Sequence, residues 1–329
     1  MRAAPSLWSA GLFALLACSL PVPFAEQWLF TTGRPQLAEA SDCQRCHGAI
    51  YEEWLDSPHA GAWTRDGFVA STGDYAADAC LACHAPGPLG QRGEPELRSD
   101  HREEGVTCTT CHLSADPHAA PLTMRGPHER TSPVDVHPVV QDELFLSAEL
   151  CGSCHERAFV EWEASPEPDD GEPKRVCQDC HMPAVRRRME SYNPEKPYSA
   201  ALVVLGRAVD GRRHGFGVPD DPWEDIELRV EPGSVGRPAR VHVANRLPHG
   251  VPTGGYGQRV ARLQVRWPGG EVRQEIRAAL EQAIGAGETR VFEFPQIPPG
   301  VPTTAVLERR NPRTGAFERL APAPEVVRP

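Results

Sequence analysis

Ten cysteines of this chain fall into five pairs with the same spacing, and a histidine follows each pair. The runs are Cys43-Gln44-Arg45-Cys46-His47, Cys80-Leu81-Ala82-Cys83-His84, Cys108-Thr109-Thr110-Cys111-His112, Cys151-Gly152-Ser153-Cys154-His155 and Cys177-Gln178-Asp179-Cys180-His181. Two thiols three positions apart lie on one side of a helical turn. There both can bond the two vinyl groups of one haem, while the adjacent imidazole ligates its iron. Zinc knuckles use such pairs in twos, and five is odd. A thioredoxin-like redox motif occurs once, beside a βαβ pattern. The spacing therefore predicts five covalent haem c groups, with His47, His84, His112, His155 and His181 as proximal ligands.

The elements that carry these motifs have little room. Five haems between Cys43 and His181 leave too few residues for an ordinary apolar core. The chain is 40 % hydrophobic and 7 % aromatic, with 34 prolines and 29 glycines among 329 residues. Porphyrins are the expected buried mass, wrapped by short helices and loops. An internal repeat runs through the region at an offset of 108 residues. Cys43 to His47, Tyr51, Glu53-Trp54 and Ser57-Pro58-His59 match Cys151 to His155, Phe159, Glu161-Trp162 and Ser165-Pro166-Glu167. Tyr51 and Trp54 stand at i and i+3 on one helical face, as do Phe159 and Trp162, suited to packing on a haem. His59 is replaced by Glu167 in the second copy, whose surroundings, with Asp169 and Asp170, read as a solvated acidic loop.

From about Asp220 the texture changes. Short β-type runs separated by Gly/Pro turns appear at Ile226–Val230, Arg240–Ala244, Arg259–Trp267, Glu271–Ile276, Arg290–Phe294, Thr303–Glu308 and Ala316–Leu320. Seven short strands at this spacing predict an all-β immunoglobulin-like sandwich. The expected division is an export segment over 1–40, a pentahaem domain over 41–219, a β-sandwich over 220–320 and a tail over 321–329.

The formal net charge is −11. That excludes a simple nucleic-acid binder, which needs a basic face, and a basic membrane-surface module. Covalent haem implies export. Met1-Arg2 and the apolar stretch from Leu7 to Leu20 supply a signal. Leu15-Leu16-Ala17-Cys18 resembles a lipoprotein box, with Cys18 as the lipidated residue. A plain cleaved signal and an uncleaved anchor are the alternatives. All three place the protein in the periplasm or on the outer cell surface.

Eight histidines remain for distal positions: His59, His101, His118, His128, His137, His214, His242 and His249. Outside the signal the methionines are Met124, Met182 and Met189, and Met182 sits too close to His181 to reach the opposite face of its haem. The pool favours bis-histidine, low-potential haems. His242, between two valines, and then His128 and His101 are the expected bystanders.

At this point the chain resembles the multihaem cytochromes c of the type that includes the tetrahaem electron acceptor of hydroxylamine oxidoreductase. The resemblance rests on Cys43–His59, on Gly105-Val106-Thr107-Cys108 with His118, and on Glu149 to His155. It extends to Cys177 to Pro183, His214-Gly215-Phe216-Gly217 and Asn245 to Gly254, so it covers about residues 43–265. It implies His59, His118, His137, His214 and His249 as distal ligands, the last from a loop of the β domain. Two departures stand out. The tetrahaem acceptor has one haem fewer, and no motif here ends in the lysine of pentahaem nitrite reductases.

The resulting expectation is an exported electron carrier whose haems exchange electrons with redox partner proteins: cytochromes, reductases or a quinol-oxidising complex. The acidic surface would steer a basic partner. One alternative is an enzyme reducing a small nitrogen or sulfur oxyanion at one open haem. Its motives are Glu167 and the clusters Arg186-Arg187-Arg188 and Arg212-Arg213. Another is an oligomer, with subunits stacked in an extracellular haem filament.

Overall fold

The computed structural model describes residues 39–329 except 90–93, 121, 130–136, 168–170, 193–202, 205, 218–223, 255–258, 279–281, 312–313, 322–324 and 327–329. Cys18 and the rest of the expected export segment up to residue 38 lie outside the described residues, as do Asp169 and Asp170.

The first half consists of short helices. They are α1 (Ala40–Leu55), α2 (Asp66–Ser71), α3 (Asp78–His84), α4 (Cys108–His112), α5 (Glu149–Gly152), α6 (Glu156–Ala164) and α7 (Cys177–His181). Each attachment motif forms a helical turn. Motifs one, two, three and five lie within α1, α3, α4 and α7, and motif four spans the junction of α5 and α6. The backbone leaves helical geometry at His47 (φ −109°) and His155 (φ −101°). At both, the histidine marks a kink between the turn with the cysteines and the helix bearing Glu-Trp.

Small sheets bind remote loops of this half. Strand β1 (Met124–Gly126) pairs in parallel with β2 (Val139–Gln141), and β3 (Ala184–Arg187) pairs antiparallel with β4 (Val209–Arg212). Gly105 has φ +64°, and a Cβ there would lie 2.3 Å from the His59 carbonyl oxygen. Only glycine permits this approach, and it lets Val106 N–H donate to that oxygen at 3.0 Å.

The second half contains β5 (Ile226–Glu231), β6 (Ala239–Asn245), β7 (Val260–Trp267), β8 (Gly270–Arg277), β9 (Thr289–Phe294), β10 (Thr304–Arg310), β11 (Phe317–Arg319) and β12 (Glu325–Val326). They form two four-stranded sheets, ordered β11-β10-β7-β8 and β12-β5-β6-β9. All pairings are antiparallel except β12 with β5. Alternation in β5 and β6 sends Ile226, Leu228, Val230, Val241 and Val243 inward. They share one apolar cluster with Leu263, Val265, Ile276, Phe294 and Leu307, so the two sheets close on a common core. The conventional core of the molecule sits here.

Among the described residues no helix is long and apolar enough to cross a membrane.

Candidate functional site

All ten motif cysteines line one cavity of about 1990 Å³. A pocket for one small ligand is about 300–1,000 Å³, so this space suits several bulky groups. The same cavity is lined by His47, His59, His84, His112, His137, His155, His181, His214 and His249.

Eight of these histidines face one another in four pairs. Ring centroids are 6.4 Å apart for His47 and His137, 6.1 Å for His59 and His155, 6.1 Å for His112 and His214, and 6.3 Å for His181 and His249. With a metal–nitrogen bond of about 2.0–2.1 Å and a ring centre about 1.1 Å behind its nitrogen, two imidazoles on opposite faces of one iron have centroids about 6.3 Å apart. Each pair joins one motif histidine to one remote histidine at that separation. The donor set fits haem iron.

Second contacts orient the rings. Nδ1 of His47, His84, His112 and His181 lies 2.9, 2.7, 2.9 and 3.1 Å from the carbonyl oxygens of Met189, Ala62, Arg125 and Gly217. Nδ1 of His214 and His249 meets the carbonyls of Arg212 and Gly250 at 3.0 and 3.1 Å. A carbonyl can only accept, so these contacts fix the proton on Nδ1 and leave Nε2 free for a metal. Desolvation in the cavity, with His155 alongside, lowers His59 to about 3. Desolvation likewise lowers His155 and His214 to about 4. The neutral imidazole, the form that ligates, is thereby favoured.

His84 differs. Phe68 stacks on its ring at 3.7 Å and 6°, and no histidine faces it among the described residues. Every histidine of the chain is described, so the remainder can be traced. His118 is exposed, in a turn where its backbone N–H donates to Asp116 Oδ1 at 2.8 Å. That turn carries it away from the motif histidines, and it is the one proposed distal residue the structure does not bring into a pair. His128 Nε2 meets the Asp210 carbonyl at 2.7 Å. His101 lies near Glu39 and Glu103, and His242 near Glu231 at 3.2 Å.

The motifs also touch one another. Cys43 lies beside Cys108, Cys83 beside Cys154 and Cys151 beside Cys177. Motif one therefore adjoins motif three, and motif four adjoins both two and five.

Residues 42–113 match the family model described as cytochrome c554 and c-prime. Cytochrome c-554 of Nitrosomonas europaea is 26 % identical over 175 residues, which are 46 % of this chain and 71 % of that relative. A penta-heme cytochrome c552 from Thermochromatium tepidum has the same fold, with a TM-score of 0.54 at 15 % identity, over 87 % of this chain and 98 % of that one. These likenesses all point to the multihaem cytochromes c. That likeness supports covalently bound haem c as the cofactor.

Sequence reasoning missed several residues that shape the site. Arg98 is buried, and its guanidinium donates to the carbonyls of Pro86, Asp100, His101 and Gly105 and to Thr107 Oγ1. It ties the segment after motif two to the one before motif three. No periodicity marks it. The arginine clusters are engaged within the chain: Arg187 with Glu53 at 2.8 Å, Arg186 with Asp210 at 3.0 Å and Arg212 with Asp179 at 2.6 Å. Arg188 donates to the Val203 carbonyl and Arg213 lies 3.7 Å from Glu53.

Proposed function

We propose that this cytochrome is an exported electron carrier holding five haems, four of them between two histidines. The observation that carries this reading is the set of four facing pairs at 6.1–6.4 Å. A bound haem supplies one-electron redox chemistry at its iron. The chain's contribution is to hold and orient it. Cys43 and Cys46 would hold the haem between His47 and His137, and Cys108 and Cys111 the one between His112 and His214. Cys151 and Cys154 would hold the haem between His155 and His59, and Cys177 and Cys180 the one between His181 and His249. A site with both axial positions filled by protein leaves outer-sphere exchange as its chemistry. The motif contacts support an order one–three and two–four–five. Cys111 lies near Cys151 and Cys154, which supports a link from three to four. Motif four is then the junction of a branched path.

The two sheets over one core support an immunoglobulin-like reading of the β half, whose β6–β7 loop supplies His249. Partners are redox proteins met through an acidic surface. Attachment through a lipid on Cys18 or an N-terminal anchor, and a periplasmic or cell-surface location, follow from the apolar N-terminal stretch.

A second reading rests on His84. With no histidine facing it, a haem held by Cys80, Cys83 and His84 would lack a second histidine ligand, and reduction of a nitrogen or sulfur oxyanion there is the enzyme alternative. One experiment tests both. In the reduced holoprotein, carbon monoxide is expected to bind one haem in five while the rest stay low-spin. A mainly high-spin spectrum overturns the carrier reading, and no carbon monoxide uptake overturns the open site.

A further inference from the structure

The internal repeat carries a Glu-Trp pair in each copy, and both pairs make the same contacts. Trp54 Nε1 donates to the Val106 carbonyl at 2.8 Å, two residues before Cys108. Trp162 Nε1 donates to the Arg175 carbonyl at 2.8 Å, two residues before Cys177. Each tryptophan thus holds the entry to an attachment motif elsewhere in the chain. The glutamates reach to the opposite side. Glu53 Oε2 accepts the backbone N–H of His214 at 2.9 Å. Glu161 Oε2 accepts the backbone N–H of Gly250, next to His249, at 2.9 Å, and the Thr253 hydroxyl at 2.9 Å.

The two grips converge. His214 faces His112, which belongs to the motif that Trp54 holds. His249 faces His181, which belongs to the motif that Trp162 holds. Each carboxylate is in turn fixed by an arginine: Glu53 by Arg187 at 2.8 and 3.0 Å, Glu161 by Arg157 at 3.1 Å.

We infer that Glu53 and Glu161 are equivalent positioning residues that hold the distal histidines His214 and His249 at their irons. The inference rests on the reading of those histidines as iron ligands. A carboxylate suits the task because its two oxygens accept several bonds, and bonds to an ionised acceptor are about twice as strong as neutral ones. An amide keeps the shape but has a single acceptor oxygen, and its NH₂ would confront either the arginine or the backbone N–H.

The test uses the five-haem holoprotein and carbon monoxide as probe. In Glu161→Gln the fraction of the motif-five haem that is high-spin and binds carbon monoxide is expected to rise about tenfold, the scale of losing a charge-assisted bond. Glu53→Gln should do the same at a haem of different midpoint potential, and the double variant should show both. Glu163→Gln, on the same helix and facing solvent, should match wild type. Thr253→Val, which removes one bond only, should give a smaller change at the motif-five haem, and it carries the test if Glu161→Gln does not accumulate. His249→Ala separates the two levels of the argument. If it opens a haem and neither Glu161→Gln nor Thr253→Val changes one, the positioning role is overturned. If His249→Ala itself changes no haem, the ligand reading fails first.

Discussion

Leu263→Ala, far from any cysteine, should loosen one haem. Leu263 is fully buried in β7, directly across from Leu307 of β10, at the centre of the cluster shared by both sheets. Truncating a buried leucine costs about 2–5 kcal/mol, transfer and cavity together. Taking about 3 kcal/mol, and about 4–8 °C per kcal/mol for a unit near 100 residues, the sheet melt should fall by roughly 12–24 °C. The β6–β7 loop transmits the change. Buried Asn245, at the end of β6, donates through Nδ2 to the carbonyls of His249, Ile284 and Gly285 at 2.9–3.0 Å. The loop that presents His249 is therefore fastened to the sheets and should leave His181 when they open. Far-UV circular dichroism follows the sheets, and carbon monoxide uptake at one haem in five follows the ligand, both against temperature. Both transitions should move down together in Leu263→Ala. If the haem transition stays at the wild-type temperature while the sheet melt moves, the mechanical link through Asn245 is wrong.

Three further outcomes follow from individual contacts. Arg98→Ala strips partners from four carbonyls and Thr107 and should destabilise the haem half by about 3 kcal/mol or more, read as a lower thermal midpoint with the haems followed optically. Trp162→Phe keeps the ring but loses the bond to Arg175, so a loss of about 0.5–1.5 kcal/mol is expected in denaturant titration, with five haems still attached by intact mass. His118→Ala should leave the spin state of every haem unchanged in electron paramagnetic resonance, because its side chain is exposed; a new high-spin signal would return His118 to the ligand set.

What could be read from the sequence was whatever is local. A three-residue cysteine spacing is complete within one turn, so all five motifs stood out, each with the histidine that follows it. The seven β-type runs coincide with β5 to β11 to within one or two residues, because alternation and Gly/Pro turns are short-range signals. Strands β1 to β4 left no such trace. Each is three or four residues long and exists because a remote segment lies beside it, as Val185 beside Gly211. The facing of histidines is likewise a property of the fold. His59 and His118 look alike as candidates, yet a glycine at 105 lets the His59 loop settle into the cavity, whereas Asp116 turns His118 outward. The repeat was visible as a pattern, and its tryptophans read as haem-packing rings. Their indole N–H bonds to backbone, and the reach of both glutamates, needed coordinates.

The facing pairs also set a timetable for maturation. A polypeptide made from its N-terminus presents both cysteines of a motif almost at once, but the second histidine of most pairs comes much later: position 137 for His47, 214 for His112 and 249 for His181. His155 is the exception, since His59 precedes it. The sites would be completed in the order of motifs one, four, three and five. The last closure waits for a residue that the β half delivers. A chain cut short before that half could be loaded with haem at every cysteine pair and still be unfinished at motif five, so an unfilled axial position there would mark an incomplete molecule.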